Sequence, residues 1–359
     1  MTERTLEIDT ELTKLARTLE VDPDEVDFLA HVELDELRDL RWRITDELNA
    51  ADAKRLAGVI AASRLLPPPL VAAIGEKWFG PVLCARLVGH VEPKRGGQYA
   101  RHLSAGFMAD ITARTDPRVV GDLIHELGVK TLQKIATTLL ERGDHLTLSH
   151  FVGHLPPEVV AAILDAIDDN AAVVRIARYV EDLDHLDPVV ALLPDHRIVD
   201  LVRAVDSDDL WVDGLHLFSR LGDDQITRIA TTIIRQDARA VISALEAFER
   251  HQLWAQGLQL VDHLDPADLV TFADVLLDVD LAVVDHSVID AVVDAIDTND
   301  AWYILVNIAL AADTLDDDVR ARLHELVDRL PKAKVARFEA AASELGHDGL
   351  LARVLRPRG

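Results

Sequence analysis

The residues best suited to chemistry lie in one short segment, Asp144-His145-Leu146-Thr147-Leu148-Ser149-His150-Phe151-Val152-Gly153-His154. On a helix, His150 and His154 stand four residues apart on one face, where two imidazoles can chelate a single metal ion. Asp144 is a third candidate ligand, but it lies six residues before His150 and off that face unless the helix starts later. No glutamate occupies the position a zinc protease would need, and His125-Glu126 lacks a second histidine because Val129 stands there. Histidines on a helix surface or at a helix interface are the simpler reading. His150 and His154 are therefore the metal candidates, and no catalytic residue is assigned.

Other reactive groups read as structural. Acids cluster at Asp206-Ser207-Asp208-Asp209, Asp223-Asp224 and Asp316-Asp317-Asp318. Hard cations favour such oxygens, but none of the three has calcium-loop spacing. Acids at helix N-termini cap exposed amides and suit the helix dipole, and that role is expected here. Gly96-Gly97, beside Lys94 and Arg95, is no phosphate loop, since no Lys-Ser/Thr follows. It predicts a distorted helix, with a local anion contact as the alternative. Cys84 sits in an apolar run as a small core residue. The large aromatics Trp78-Phe79, Trp211, Trp254 and Trp302-Tyr303 are expected to fill the core, with anchoring of a partner as the alternative.

What must position these residues is set by composition and repetition. The chain has 359 residues, 49% of them hydrophobic but only 4% aromatic, so its core is aliphatic. Few Gly and Pro and no sustained period-two alternation favour helix over sheet. The formal charge of −26 disfavours nucleic acid and anionic membrane surfaces. The most apolar stretch, 301–312, is too short to span a membrane, which needs roughly 20 residues. With one cysteine, no disulfide within the chain and a polar, acidic N-terminus, the expected location is cytoplasmic.

A phrase of about twelve residues recurs. It is clearest in Leu155-Pro156-Pro157-Glu158-Val159-Val160, where an aliphatic residue opens, Pro or Asp follows, and further aliphatics fall near offsets 4, 5, 8 and 9. Val91, Leu103, Thr115 and Leu127 open successive phrases twelve apart. Each phrase starts a helix of about two turns, which is unstable alone and must stack on its neighbours. The predicted fold is all-α: a superhelical solenoid of short antiparallel helices with an N-terminal helical cap. The expected divisions are a cap over 1–64, strict repeats over 65–142 and a looser array over 143–359, with a soft boundary at Arg142 to Asp144.

The phrases at Leu155-Pro156-Pro157-Glu158-Val159-Val160 and Leu264-Asp265-Pro266-Ala267-Asp268-Leu269, with the frames from Val91 to Leu139, resemble the helical repeats of the intracellular N-terminal domain of MgtE-type magnesium transporters. The resemblance covers about the middle third of the chain well. It implies a superhelix of short helices and a regulatory or scaffolding role, with Mg2+ as a cofactor to consider. Neither transport nor individual metal-binding acids carry over, because no transmembrane part is present and no acid matches by motif.

The functional expectation is a non-catalytic cytoplasmic scaffold that binds a protein partner, without nucleic acid or membrane insertion. A divalent-cation (magnesium) sensing domain is the alternative. An enzyme whose site, including His150 and His154, is assembled from distant residues comes third.

Overall fold

The computed structural model describes residues 3–181, 186–218, 220–265, 267–269, 271, 272, 275, 287–298, 300–311 and 330–354. The protein is helical, with no strand among the described residues. It divides into two compact units, residues 1–192 and 193–359. Arg142 and Asp144, at the soft boundary suggested by sequence, are bonded inside the first unit, to Asp110 and Arg17 respectively.

The first unit begins with α1 (Glu3–Leu19) and the long α2 (Leu34–Ser63), joined by two short 3-10 turns. Ile8, Leu12, Ala16, Val26 and Leu37 form a small core between them. Short helices follow: α3 (Pro68–Ile74), a π-helical turn over Gly75–Phe79, α4 (Gly80–Val88), α5 (Pro93–Ala100), α6 (Ala105–Thr112) and α7 (Gly121–Glu126). Then come α8 (Val129–Glu141), α9 (His145–Val152), α10 (Pro157–Leu164), α11 (Asn170–Arg178) and α12 (Leu186–Leu192).

Helix starts fall where Pro, Ser or Asp stands. Proline fills the first turn of α3, α4, α5 and α10, where its missing N–H costs nothing. Ser104, Asp144 and Asp169 accept from the amides of Phe107, Thr147 and Ala172. Most of the short helices then pack on the one two further along: α3 on α5, α4 on α6, α5 on α7, α6 on α8, α8 on α10, α9 on α11 and α10 on α12.

Gly96 and Gly97 do not distort α5. They lie buried in a regular helix at its crossing with α7, where a Cβ on Gly96 would come within 2.6 Å of Leu123 Cδ1. The glycines let two backbones approach, which periodicity alone does not reveal.

The second unit uses longer helices: α13 (Asp195–Ser207), α14 (Trp211–Phe218), α15 (Asp223–Gln236), α16 (Ala238–His251) and α17 (Trp254–Asp262). Further on stand α18 (Ser287–Thr298), α19 (Trp302–Ala311), α20 (Lys332–Glu344) and α21 (Leu350–Val354). One corner recurs in it three times. Asp209, Gln252 and Asp300 take left-handed backbone at φ 54°, 57° and 54°. The next residue donates its amide five residues back: Leu210 to Val205, Leu253 to Phe248, Ala301 to Ile296. This closes the preceding helix in a Schellman turn. A tryptophan then opens the next helix, and its indole N–H returns to the acid five residues earlier: Trp211 to Asp206, Trp254 to Glu249, Trp302 to Asp297.

This corner corrects the reading of one acidic cluster. Asp206 to Asp209 ends α13 instead of starting a helix, and Asp209 pairs with Arg250 and His251. Asp223 and Asp224 do stand in the first turn of α15. Asp316 to Asp318 lie outside the described residues. No helix among the described residues is long and apolar enough to cross a membrane.

Candidate functional site

The structure separates the two candidate histidines. His150 is on α9, but His154 lies in the turn after Gly153. His154 is exposed, with Nδ1 3.1 Å from the His150 carbonyl oxygen. The His150 ring turns inward. Its Nε2 is sealed from solvent with no hydrogen-bond partner among the described residues, and the nearest carboxylate oxygen, Glu181 Oε1, is 4.0 Å away. No three metal-ligating side chains converge among the described residues.

His150 belongs instead to a buried network of charges. Glu11 and Lys14, on α1, are only 1% and 2% exposed. Arg41 of α2 donates from Nε to Glu11 Oε1 at 2.5 Å and from Nη2 to Glu181 Oε1 at 2.8 Å. Lys14 Nζ donates to the same Glu181 oxygen at 3.0 Å, and Arg38 stands 3.7 Å from Glu11. Beside this group Arg17 makes a two-pronged contact with Asp144, 2.7 Å on each branch, and Asp144 also accepts from the Thr147 hydroxyl. The N-terminal helix is thus tied to the start of α9 and to Glu181, three residues past the end of α11.

The network sets its own protonation states. Burial pushes His150 down to about 3, and the cations Lys14, Arg41 and Arg17 act in the same direction, against Glu181. For Glu181 burial acts upward, but Lys14 and Arg41 outweigh it and hold the carboxyl down to about 2. Burial also lowers Lys14, against the pull of Glu181 and Glu11. A neutral His150 suits this place, because Lys14, Arg38 and Arg41 already outnumber Glu11 and Glu181. Such a group locks segments together.

Next to the network lies an apolar cavity of about 320 Å³, enclosed by α2 to α11 of the first unit. Its wall is aliphatic: Val71, Leu87, Leu103, Ile135, Leu139 and Ile163 are representative. The polar wall groups are engaged elsewhere. Thr112 and Thr115 donate to the Met108 and Ile111 carbonyls, Ser63 to Ile60, Tyr99 to Ser63, and Thr147 to Asp144. Cys84 also lines the cavity, and burial raises its thiol to about 11, so it carries no reactive thiolate at neutral pH. Arg95 is no anion contact: it donates to the Arg64 and Leu66 carbonyls, closing the end of α2.

Large apolar side chains stand exposed around the π-helical turn. Trp78 is 83% exposed, and Leu65, Leu70, Phe79 and Val82 are exposed with it. Phe79 also lines the cavity, so it marks a place where the cavity meets solvent. Trp211, Trp254 and Trp302 are buried, as core filling requires.

Sequence reading missed the charge network because its members are far apart: Lys14 and Glu181 are separated by 167 positions. The one available signal was charge on the buried stripe of α1, where Glu11 and Lys14 share the spacing of Ile8, Leu12 and Leu15. No protein-family model, curated protein or solved structure matches this chain.

Proposed function

We propose that this protein is a helical-repeat solenoid acting as a non-catalytic cytoplasmic scaffold, and that it binds a protein partner through the surface around Trp78. The single observation that carries this reading is the exposure of Leu65, Leu70, Trp78, Phe79 and Val82 within eighteen positions of the first unit. Isolated apolar residues on a surface need no explanation, but a group rich in large side chains marks interaction sites. Tryptophan contributes disproportionately at such interfaces. The packing of most short helices on the second one along supports the solenoid reading, since stacked repeats build long binding surfaces. The burial and pairing of the strongly shifted groups support a non-catalytic role.

The test is affinity capture from a lysate of the native host, with wild type beside Trp78→Ser and Phe79→Ser. A protein retained by wild type and lost from both variants supports the scaffold. Identical retention by all three, or none by wild type, removes it.

A further inference from the structure

We propose that the apolar cavity of the first unit is a binding site for a single long-chain fatty acid, its hydrocarbon chain inside and its carboxylate at the rim beside Arg64 and Lys77. The inference does not depend on a protein partner. It starts from volume: about 320 Å³ falls within the range of roughly 300–1,000 Å³ seen for small-molecule sites. The space is a cleft partly open to solvent, and an apolar cleft of this size is a feature that needs an occupant or a reason.

The wall chemistry restricts that occupant. Among the described residues no Asp, Glu, Lys, Arg or His lines the cavity. The hydroxyls of Ser63, Tyr99, Thr112, Thr115 and Thr147 are already donated within the protein. A polar ligand would leave its own groups unsatisfied there, which weakens its binding. Water fares little better, since it needs two to four polar partners and apolar cavities stay dry. An aliphatic chain asks only for contact with Leu, Val and Ile side chains, which the wall supplies.

The rim supplies charge. Arg64 is exposed between the lining residues Ser63 and Leu66, and Lys77 between the lining residues Gly75 and Phe79. Two exposed cations thus adjoin lining residues in the chain, where 63 acidic residues stand against 37 basic ones. The acid between them in sequence, Glu76, accepts a hydrogen bond from the Ser104 hydroxyl. A carboxylate finds complementary charge here, and Leu65 and Trp78 give its first methylenes apolar cover.

Cys84 is the chain's one cysteine and stands in the cavity wall, so the intact protein carries its own reporter. The experiment titrates lipid-stripped wild type with palmitate at pH 9, where a measurable fraction of the thiol ionises, and follows the rate of Cys84 alkylation. Saturable binding of one palmitate per chain, with alkylation slowed at least tenfold, supports the site. Ala72→Phe fills the cavity from a buried wall position and should weaken palmitate at least tenfold. The Arg64→Gln, Lys77→Gln double variant should weaken palmitate fivefold or more and leave hexadecanol unchanged. No saturable binding by wild type, or binding that leaves Cys84 alkylation unchanged, overturns the proposal without recourse to any variant. Equal losses for palmitate and hexadecanol in the rim variant overturn the placement of the carboxylate.

Discussion

The two units treat tryptophan in opposite ways. Trp42 and Trp78 of the first unit are exposed, and Arg118 lies over Trp42 with its guanidinium carbon 5.9 Å from the ring centre. Trp211, Trp254 and Trp302 of the second are buried, and Phe248 meets Trp211 and Trp254 edge to face, 5.9 Å between ring centres each time. The interiors differ accordingly. A mostly aliphatic wall, with Phe79, Tyr99 and Phe151 but no tryptophan, leaves a cavity of about 320 Å³ in the first unit, whereas in the second, with Trp211, Phe248 and Trp254 in the wall, about 160 Å³ remains. Order is enforced differently too: by a buried charge network in the first, and by a repeated acid–tryptophan corner in the second. An aliphatic core of short helices is easily left incompletely filled. Rings that fix both volume and hydrogen-bond direction close the space.

The largest test of this contrast is Trp254→Ala. It removes a ring set edge to face against Phe248 and leaves Glu249 without its indole partner. Truncating a buried tryptophan should cost about 3–5 kcal/mol. Hydrogen exchange should show lost protection across 238–262, and retention of protection there would break the contrast.

Acid should act on the first unit through His150. Its folded value, about 3, lies below the unfolded value of about 6.5. The unfolded state therefore binds more protons between those limits. The stabilisation is complete above pH 6.5 and is lost as pH falls toward 3. Glu181, held to about 2, adds a further loss below about pH 4.5. Stability measured around α9 should be about 2 kcal/mol lower at pH 5 than at pH 8. His150→Asn should flatten the curve between those two pH values. An unchanged slope in that variant would show that the ring is not the group responsible.

A smaller effect separates the two cores through their glycines. A Cβ at Gly257 would fall within the Phe248 ring, which Trp211 and Trp254 hold in place. Gly257→Ala should therefore cost about 1–2 kcal/mol even after the gain in helix propensity. At Gly96 the added carbon meets Leu123 Cδ1, the far end of a flexible side chain that borders the open cavity. Gly96→Ala should change stability by no more than about 0.5 kcal/mol, because Leu123 can turn into free space. Equal costs by urea denaturation would mean that the first core is as tightly packed as the second. Least of all, Trp78→Ser should leave the melting temperature within a degree or two, as expected for an exposed side chain.

Much of the local architecture was legible. Pro and Asp after an aliphatic residue announced α3, α10, α13 and α15, because proline suits a first turn and acids suit a helix N-terminus. The corner of the second unit was on the page as Asp206-x4-Trp211, Glu249-x4-Trp254 and Asp297-x4-Trp302. A search tuned to aliphatic spacing passes over it, since the repeated information is a polar return to a ring. Two copies even share a glycine three residues after the tryptophan, Gly214 and Gly257, where Val205 and Phe248 press on the backbone. The inward turn of His150 was not legible. It depends on Lys14, Arg41 and Glu181 arriving from three other segments, and no local pattern encodes that meeting.

The tie between α1 and Glu181 also orders events at the ribosome. Lys14 is made 167 residues before Glu181, and Arg17 is made 127 residues before Asp144. At about 5–20 residues per second, the N-terminal helix waits some 8–33 s for the acid that completes its neutralisation. Until then it can be only half settled on α2, with ammonium and guanidinium groups still hydrated. Closure of the first unit is therefore timed by synthesis of its own last helices, and a pause in translation before residue 181 would hold the cavity open to whatever apolar molecule is nearby.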